Sequence, residues 1–141
     1  MERYRLVIRS TGGPEVIERE PLGQLSPGPD DVLVRHEAIG LNYIDTYHRS
    51  GLYPLSLPSG LGSEAAGVVE AAGDGAGFGE GERVAYALAP PGAYATHRLI
   101  AANRLVRLPD DMDAETAAAL SASTSSGSRT SRSAAISRWV A

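Results

Sequence analysis

Turn residues cut this chain into short runs. Gly12-Gly13-Pro14, the LSPGPD stretch from Leu25 to Asp30, the alternating glycines from Gly73 to Gly81, and Pro90-Pro91-Gly92 each interrupt regular structure. Proline removes a backbone donor and fixes φ; glycine admits conformations that other residues avoid. The runs between the breaks have strand length and strand composition. YRLVI (Tyr4 to Ile8) is β-branched and aromatic, and Val16 to Glu20 alternates so that it can pair back as a hairpin. DVLVRHEAI (Asp31 to Ile39) is the clearest strand: Val32, Val34 and His36 face one way, Leu33, Arg35 and Glu37 the other. AAGVVEAA (Ala65 to Ala72) reads as a buried strand in which Gly67 marks a bulge or a close backbone approach. Glu82 to Leu88, Tyr94 to Ile100 and Arg104 to Leu108 complete six or seven strands. The expectation is a mainly β fold, a partly open β barrel with short helices.

One helix interrupts the strands. Asn42 is a favoured N-cap, Asp45 sits in the first turn where its charge suits the helix dipole, and Gly51 can stop the helix, which predicts Asn42 to Arg49. Pro54 and Pro58 keep the next loop extended. Asp113 predicts the start of a second helix over Ala114 to Leu120. The stretch Ala38 to Gly67 packs Asn42, Tyr43, Asp45, Tyr47, His48, Arg49 and Tyr53 between two glycine-bearing apolar segments. That density of hydrogen-bonding side chains predicts one wall of a cleft, held by a β scaffold.

Composition narrows the function classes. The 141 residues fit one domain, and 43% apolar residues can fill a core. Cysteine is absent, which removes disulfides and thiolate metal sites. Neither a leading signal pattern nor an 18-residue apolar run is present, so a soluble cytoplasmic protein without membrane partners is expected. Residues 1 to 120 hold ten Arg against 17 acids, a net charge of −7 that argues against a nucleic-acid partner. The tail 121–141 carries Arg129, Arg132 and Arg138 with no acid, in a Ser-rich setting expected to be disordered. His36, His48 and His97 lack metal-type spacing, and the Gly73 to Gly81 run opens no helix, so it reads as a hairpin rather than a phosphate loop.

Five segments carry a family resemblance: GGPEV (Gly12 to Val16), AIGLNYIDTYHRSGLY (Ala38 to Tyr53), PSGLGSEAAGVV (Pro58 to Val69), GERVAY (Gly81 to Tyr86) and GAYATHRLI (Gly92 to Ile100). Over residues 1 to about 120 the chain resembles the medium-chain dehydrogenase/reductase superfamily, and within it the zinc-free quinone oxidoreductases of the zeta-crystallin group. The resemblance implies a GroES-like domain, here without the Rossmann half those enzymes carry, as in a truncated or frame-shifted copy. Zinc enzymes of the superfamily place Cys where this chain has Asn42 and His where it has Ser63, so no metal site is expected. The implied activity is hydride transfer from NADPH to a quinone or enone. Asn42, Tyr43, Ile44, Asp45, Thr46 and Tyr47 would lie along the cofactor; Asn42, Tyr47 and Tyr53 would donate hydrogen bonds to the reacting oxygen; Arg49 and Tyr53 would meet the substrate. The full-length family also allows a homodimer.

Plainer readings stand beside these. Asn42 can serve only as a helix cap, Asp45 only as a dipole partner, Tyr47 and Tyr53 as rim packing, Arg49 as a solvated cation. Glu64 reads as structural, tying down backbone donors or an Arg, and His36 as a packed histidine. The chain as a whole can equally be a non-enzymatic β-barrel module for binding or assembly, or an inactive remnant.

Overall fold

The computed structural model describes residues 2–113, Thr116 and residues 136–138. Its order is β1 (Tyr4–Ile8), β2 (Ile17–Pro21), β3 (Asp31–Gly40), α1 (Tyr43–Ser50), β4 (Ser59–Gly60), β5 (Ala65–Ala72), β6 (Arg83–Tyr86), β7 (His97–Ala101), β8 (Val106–Arg107) and β9 (Ile136–Arg138). Short 3-10 turns lie at Pro14–Val16 and Ala102–Arg104. The strands form two sheets, ordered β2-β1-β4 and β7-β3-β5-β6-β8, and they do not close into a complete barrel. The mainly β expectation holds, as does the first hairpin, with Val7 opposite Glu18 and Ile8 opposite Ile17. No helix among the described residues is long and apolar enough to cross a membrane.

The core lies on one face of the larger sheet. Val32, Val34, Ile39, Ala65, Val69, Val84 and Tyr86 pack there. Val32 and Val34 have even numbers but Ile39 an odd one, because the β3–β5 register slips between His36 and Ala38. A bulge adds one residue to one strand and inverts the alternation beyond it. Ala38 therefore turns to the other face, where it joins Ala66 and Ala85 beneath Leu108 and Met112. Simple alternation put Leu33 with Arg35 and Glu37; Leu33 is buried, while the other two are half-buried. Gly67 is the close approach expected of it: an added Cβ would stand 2.0 Å from the Arg35 carbonyl oxygen.

Two buried histidines are consumed by this scaffold. His36 Nδ1 donates to the Ala95 carbonyl at 2.8 Å, so its Nε2 accepts the Tyr86 hydroxyl proton at 3.0 Å. Burial pushes His36 down to about 4, which keeps the ring neutral. His97 Nε2 donates to Glu70 at 3.1 Å, and Glu70 also accepts from Arg3. His36 is thus the packed, satisfied histidine that its strand position suggests.

β3 outlasts its neighbour β7, which pairs only with Asp31 to Arg35. The remaining edge, Ala38 to Gly40, pairs with Ile136 to Arg138. Three residues of the tail expected to be disordered thus form a strand. Backbone donors and acceptors on an open strand edge recruit any extended segment whatever its composition. The rest of that tail, and the helix expected over Ala114 to Leu120, lie outside the described residues apart from Thr116.

Candidate active site

Helix α1 is where the chain departs from ordinary packing. Asp45 accepts the Asn42 backbone N–H at 3.0 Å and closes the first turn. Gly51 ends the helix at φ 90°, its N–H returning to the Tyr47 and His48 carbonyls. Both ends are therefore set by residues legible in the sequence. The faces are not. At 100° per residue, Asp45, His48 and Arg49 share one side, and that side turns inward: Asp45 is buried, while His48 and Arg49 are half-buried. Tyr43, Ile44, Thr46 and Tyr47 share the other side and are exposed, Tyr43 by 59%. A surface helix normally does the reverse.

What holds the polar side down is a pair of linked contacts. Tyr94 donates its hydroxyl to Asp45 Oδ2 at 2.5 Å. Tyr94 is itself pinned to the smaller sheet and its flank: Leu6 N–H donates to its carbonyl at 2.8 Å and its own N–H donates to the Leu61 carbonyl at 2.9 Å. Gly62 makes room for the ring. It has φ 87°, and a Cβ there would stand 2.5 Å from Tyr94 Cδ1. One residue from the helix, Asn42 Nδ2 donates to Glu64 Oε1 at 2.9 Å. Burial raises Asp45, with Tyr94 and Asn42 pulling back; burial also raises Glu64, with Asn42 pulling back and Asp45 adding to the rise. Asp45 Oδ1 and His48 Nδ1 are buried and find no hydrogen-bond partner among the described residues.

The expected site residues divide accordingly. Tyr47 and Tyr53 come together edge-to-face with centroids 5.4 Å apart, and His48 lies 6.5 Å from Tyr53. Asn42 is half-buried, and its amide nitrogen is committed to Glu64. Of the continuous run Asn42 to Tyr47, Asp45 alone is buried, because a helix cannot aim six consecutive residues one way. Arg49 Nε donates to the Gly12 carbonyl at 3.2 Å, tying the helix to the first hairpin. Glu64 holds Asn42 rather than an arginine. Tyr94 carries the helix but was not singled out from the sequence; nothing local links it to Asp45, 49 residues away. Among the described residues, no three His, Cys, Asp or Glu side chains converge as metal ligands would.

Residues 28–110 match the model of the alcohol dehydrogenase GroES-like domain. This chain belongs to that family. The GroES-like chain is 54% identical over 118 residues to the quinone oxidoreductase of Pseudomonas aeruginosa, covering 82% of itself and 36% of that relative. It is 44% identical over 117 residues to quinone oxidoreductase 1 of Escherichia coli, with the same shares. Among solved structures it is similar to the Pseudomonas syringae quinone oxidoreductase, with TM-score 0.78 and 52% identity over 84% of this chain and 37% of that one. The Escherichia coli quinone oxidoreductase solved with NADPH gives TM-score 0.79 and 44% identity over 82% of this chain and 36% of that one. The GroES-like chain thus spans little more than a third of the relatives it matches.

Proposed function

We propose that this chain forms the substrate-side wall of a cytoplasmic, zinc-independent quinone oxidoreductase that uses NADPH and reduces a quinone or enone. The observation that carries the reading is the inverted helix. Helix α1 buries Asp45 and exposes Tyr43 and Tyr47, with Tyr53 exposed in the loop that follows, an arrangement that suits something flat and apolar against those rings. The likeness to quinone oxidoreductases supports the same choice.

The fit to NADPH is partial. Exposed tyrosine faces suit the nicotinamide ring. A phosphate at the start of α1 would meet the Asp45 carboxylate, which already accepts the N-cap N–H of Asn42 and opposes a second anion there. The phosphate half would have to be held by residues outside those described.

Bound NADPH would supply the hydride, and the quinone takes up that hydride and one proton. The work of this chain is then to steady the oxygen on which charge develops. Tyr47 and Tyr53, already in contact, offer two hydroxyl donors from the exposed side. Asn42 adds the amide proton that Glu64 leaves free. Arg49, tied to the Gly12 carbonyl through Nε, acts on Tyr94 as a nearby positive charge and lowers the cost of negative charge there. Tyr43, Ile44, Thr46 and Tyr47 would contact the cofactor, and Asp45 would act from beneath by holding the helix. A homodimer belongs to the same reading.

Titration of the purified chain with NADPH, followed by addition of benzoquinone, tests it. The expected result is binding tighter than about 1 mM with quinone-dependent oxidation of the nucleotide. Absence of both overturns it in favour of a binding or assembly module.

A further inference from the structure

The proposed reaction consumes one proton with each hydride. The hydroxyls of Tyr47 and Tyr53 hold theirs too tightly to release them readily near neutral pH, and the Arg49 guanidinium holds its own more tightly still. Imidazole is the side chain that changes charge there. His36 and His97 are bound into the scaffold, which leaves His48. Its ring meets Tyr53 with centroids 6.5 Å apart, and Tyr53 in turn meets Tyr47. Nδ1 is the ring nitrogen buried without a partner among the described residues; Nε2 is not. One turn earlier, Asp45 Oδ1 is buried and unpartnered among the same residues, on a side chain that is 4% exposed. Residues three apart on a helix are neighbours. Positive charge on His48 lowers Asp45, so the two groups lie within electrostatic reach. The two orphaned atoms satisfy each other once Nδ1 carries a proton and Oδ1 accepts it. An acid held by a third group in this way is a common arrangement for proton transfer, and its hydrogen bonds are often long until substrate binds.

We propose that His48 is the acid that protonates the reduced quinone, and that Asp45 is the positioning residue that holds its Nδ1–H. The inference deepens the reading above and rests on it. Hydride transfer oxidises NADPH to NADP+ and leaves the quinone as the hydroquinone anion. The Nε2–H bond of the His48 imidazolium then breaks, an O–H bond forms, and the product is neutral hydroquinone. Neutral His48 keeps its Nδ1 proton toward Asp45 and regains the other from solvent. The charged and titratable groups around it are Asp45, Tyr47 and Arg49 on α1, Tyr53 from the following loop, and Tyr94, which reaches the Asp45 carboxylate from the segment before β7. Glu64 interacts with that carboxylate in turn.

Nitrogen NMR of the histidine rings in the full chain tests the positioning without ligand. Neutral His48 should carry its proton on Nδ1. Asp45→Asn should reverse this: the Asn42 and Tyr94 donors claim the amide oxygen, so the amide nitrogen takes the place of Oδ1, donates to Nδ1 and moves the ring proton to Nε2. A residue that merely supported the helix would leave the tautomer alone. With NADPH and benzoquinone, kcat should fall as pH rises and the imidazolium is lost. His48→Gln should abolish that limb and lower kcat about 100-fold, the low end of what a positioned acid contributes, with KM for the quinone little changed. Added imidazole should restore part of the rate to His48→Ala, which separates lost chemistry from lost folding. Neutral His48 protonated on Nε2 in the unmutated chain overturns the role of Asp45. Turnover that survives His48→Gln unchanged overturns the acid. Absence of turnover in the unmutated chain overturns the quinone reading instead, while the tautomer still reports the Asp45 contact.

Discussion

The three central strands and helix α1 obey opposite rules. In β3, β5 and β6 the apolar residues Val32, Val34, Ile39, Val69 and Val84 point inward and are essentially dry. In α1 the carboxylate of Asp45 points inward and the rings of Tyr43 and Tyr47 point out. The sheet gains stability from burial at about 25 cal/mol per Å² of apolar area. The helix gains little from its outer face, and it buries a carboxylate with one oxygen unpartnered among the described residues. The contrast separates a scaffold selected for stability from a surface selected for contact, and both sit on adjacent stretches of one chain.

Perturbing the sheet should have the largest effects. Gly67→Ala would place a Cβ 2.0 Å from the Arg35 carbonyl oxygen, and backbone cannot swing aside as a side-chain end does. The expected cost exceeds about 4 kcal/mol, enough to unfold a domain of ordinary stability. Loss of the cooperative denaturation transition would confirm it, and a folded variant with unchanged midpoint would show that β3 and β5 can separate. Ile39→Ala, at a fully buried site, should cost about 2–5 kcal/mol by urea denaturation.

Acid should also strike the scaffold. The folded His36 value of about 4 lies below its unbound value of 6.5, so between the two the unfolded chain binds more protons. Stability is then complete above 6.5 and falls as pH drops toward about 4, a loss of roughly 3 kcal/mol from this group. Asp45 and Glu64 act with the opposite sign. Their folded values are raised, so the folded chain binds more protons, and their ionisation costs stability as pH climbs above the ordinary carboxylate range. Denaturation midpoints across that range should therefore fall less steeply in acid than His36 alone dictates. Asp45→Asn should remove part of the difference.

What could be read from the sequence follows the same division. Strand positions were legible because period-two patterns and Gly/Pro breaks are local signals, and Tyr4 to Ile8 and Ala65 to Ala72 stand where they were expected. The phase change at Glu37 was not, because a bulge leaves no composition mark of its own. Strands as short as Ser59–Gly60 and Val106–Arg107 exist only through their partners. The caps of α1 were legible at Asn42 and Gly51, but the direction of its faces was not. A helix with three inward polar residues has the composition of any surface helix, and the reason for its inversion, the Tyr94 hydroxyl, comes from 49 residues away. The Glu64 partner was hidden likewise, since a single carboxylate in a sequence does not say which donor it meets.

Perturbing the helix should have smaller effects on stability and larger ones on association. Asp45→Asn keeps an oxygen for the Asn42 and Tyr94 donors and removes a buried charge, so it should shift stability by less than about 1 kcal/mol at neutral pH. Smallest of all should be Tyr43→Ser with Tyr47→Ser. Both rings are exposed, and exposed positions away from caps and cores are usually worth within about 0.5 kcal/mol. Yet Tyr43, Ile44, Tyr47, Leu52, Tyr53 and Leu57 are all exposed, with Tyr47 and Tyr53 in contact, and exposed apolar side chains of this kind stick to other surfaces. The double variant should therefore scatter less light than the parent chain at high concentration while melting at nearly the same temperature. A large drop in melting temperature would mean that these tyrosines belong to the core and that α1 is not inverted. Unchanged scattering would move the adhesive surface elsewhere. Only the combination of unaltered stability and weakened self-association fits a helix whose outer face is kept for a partner rather than for the fold.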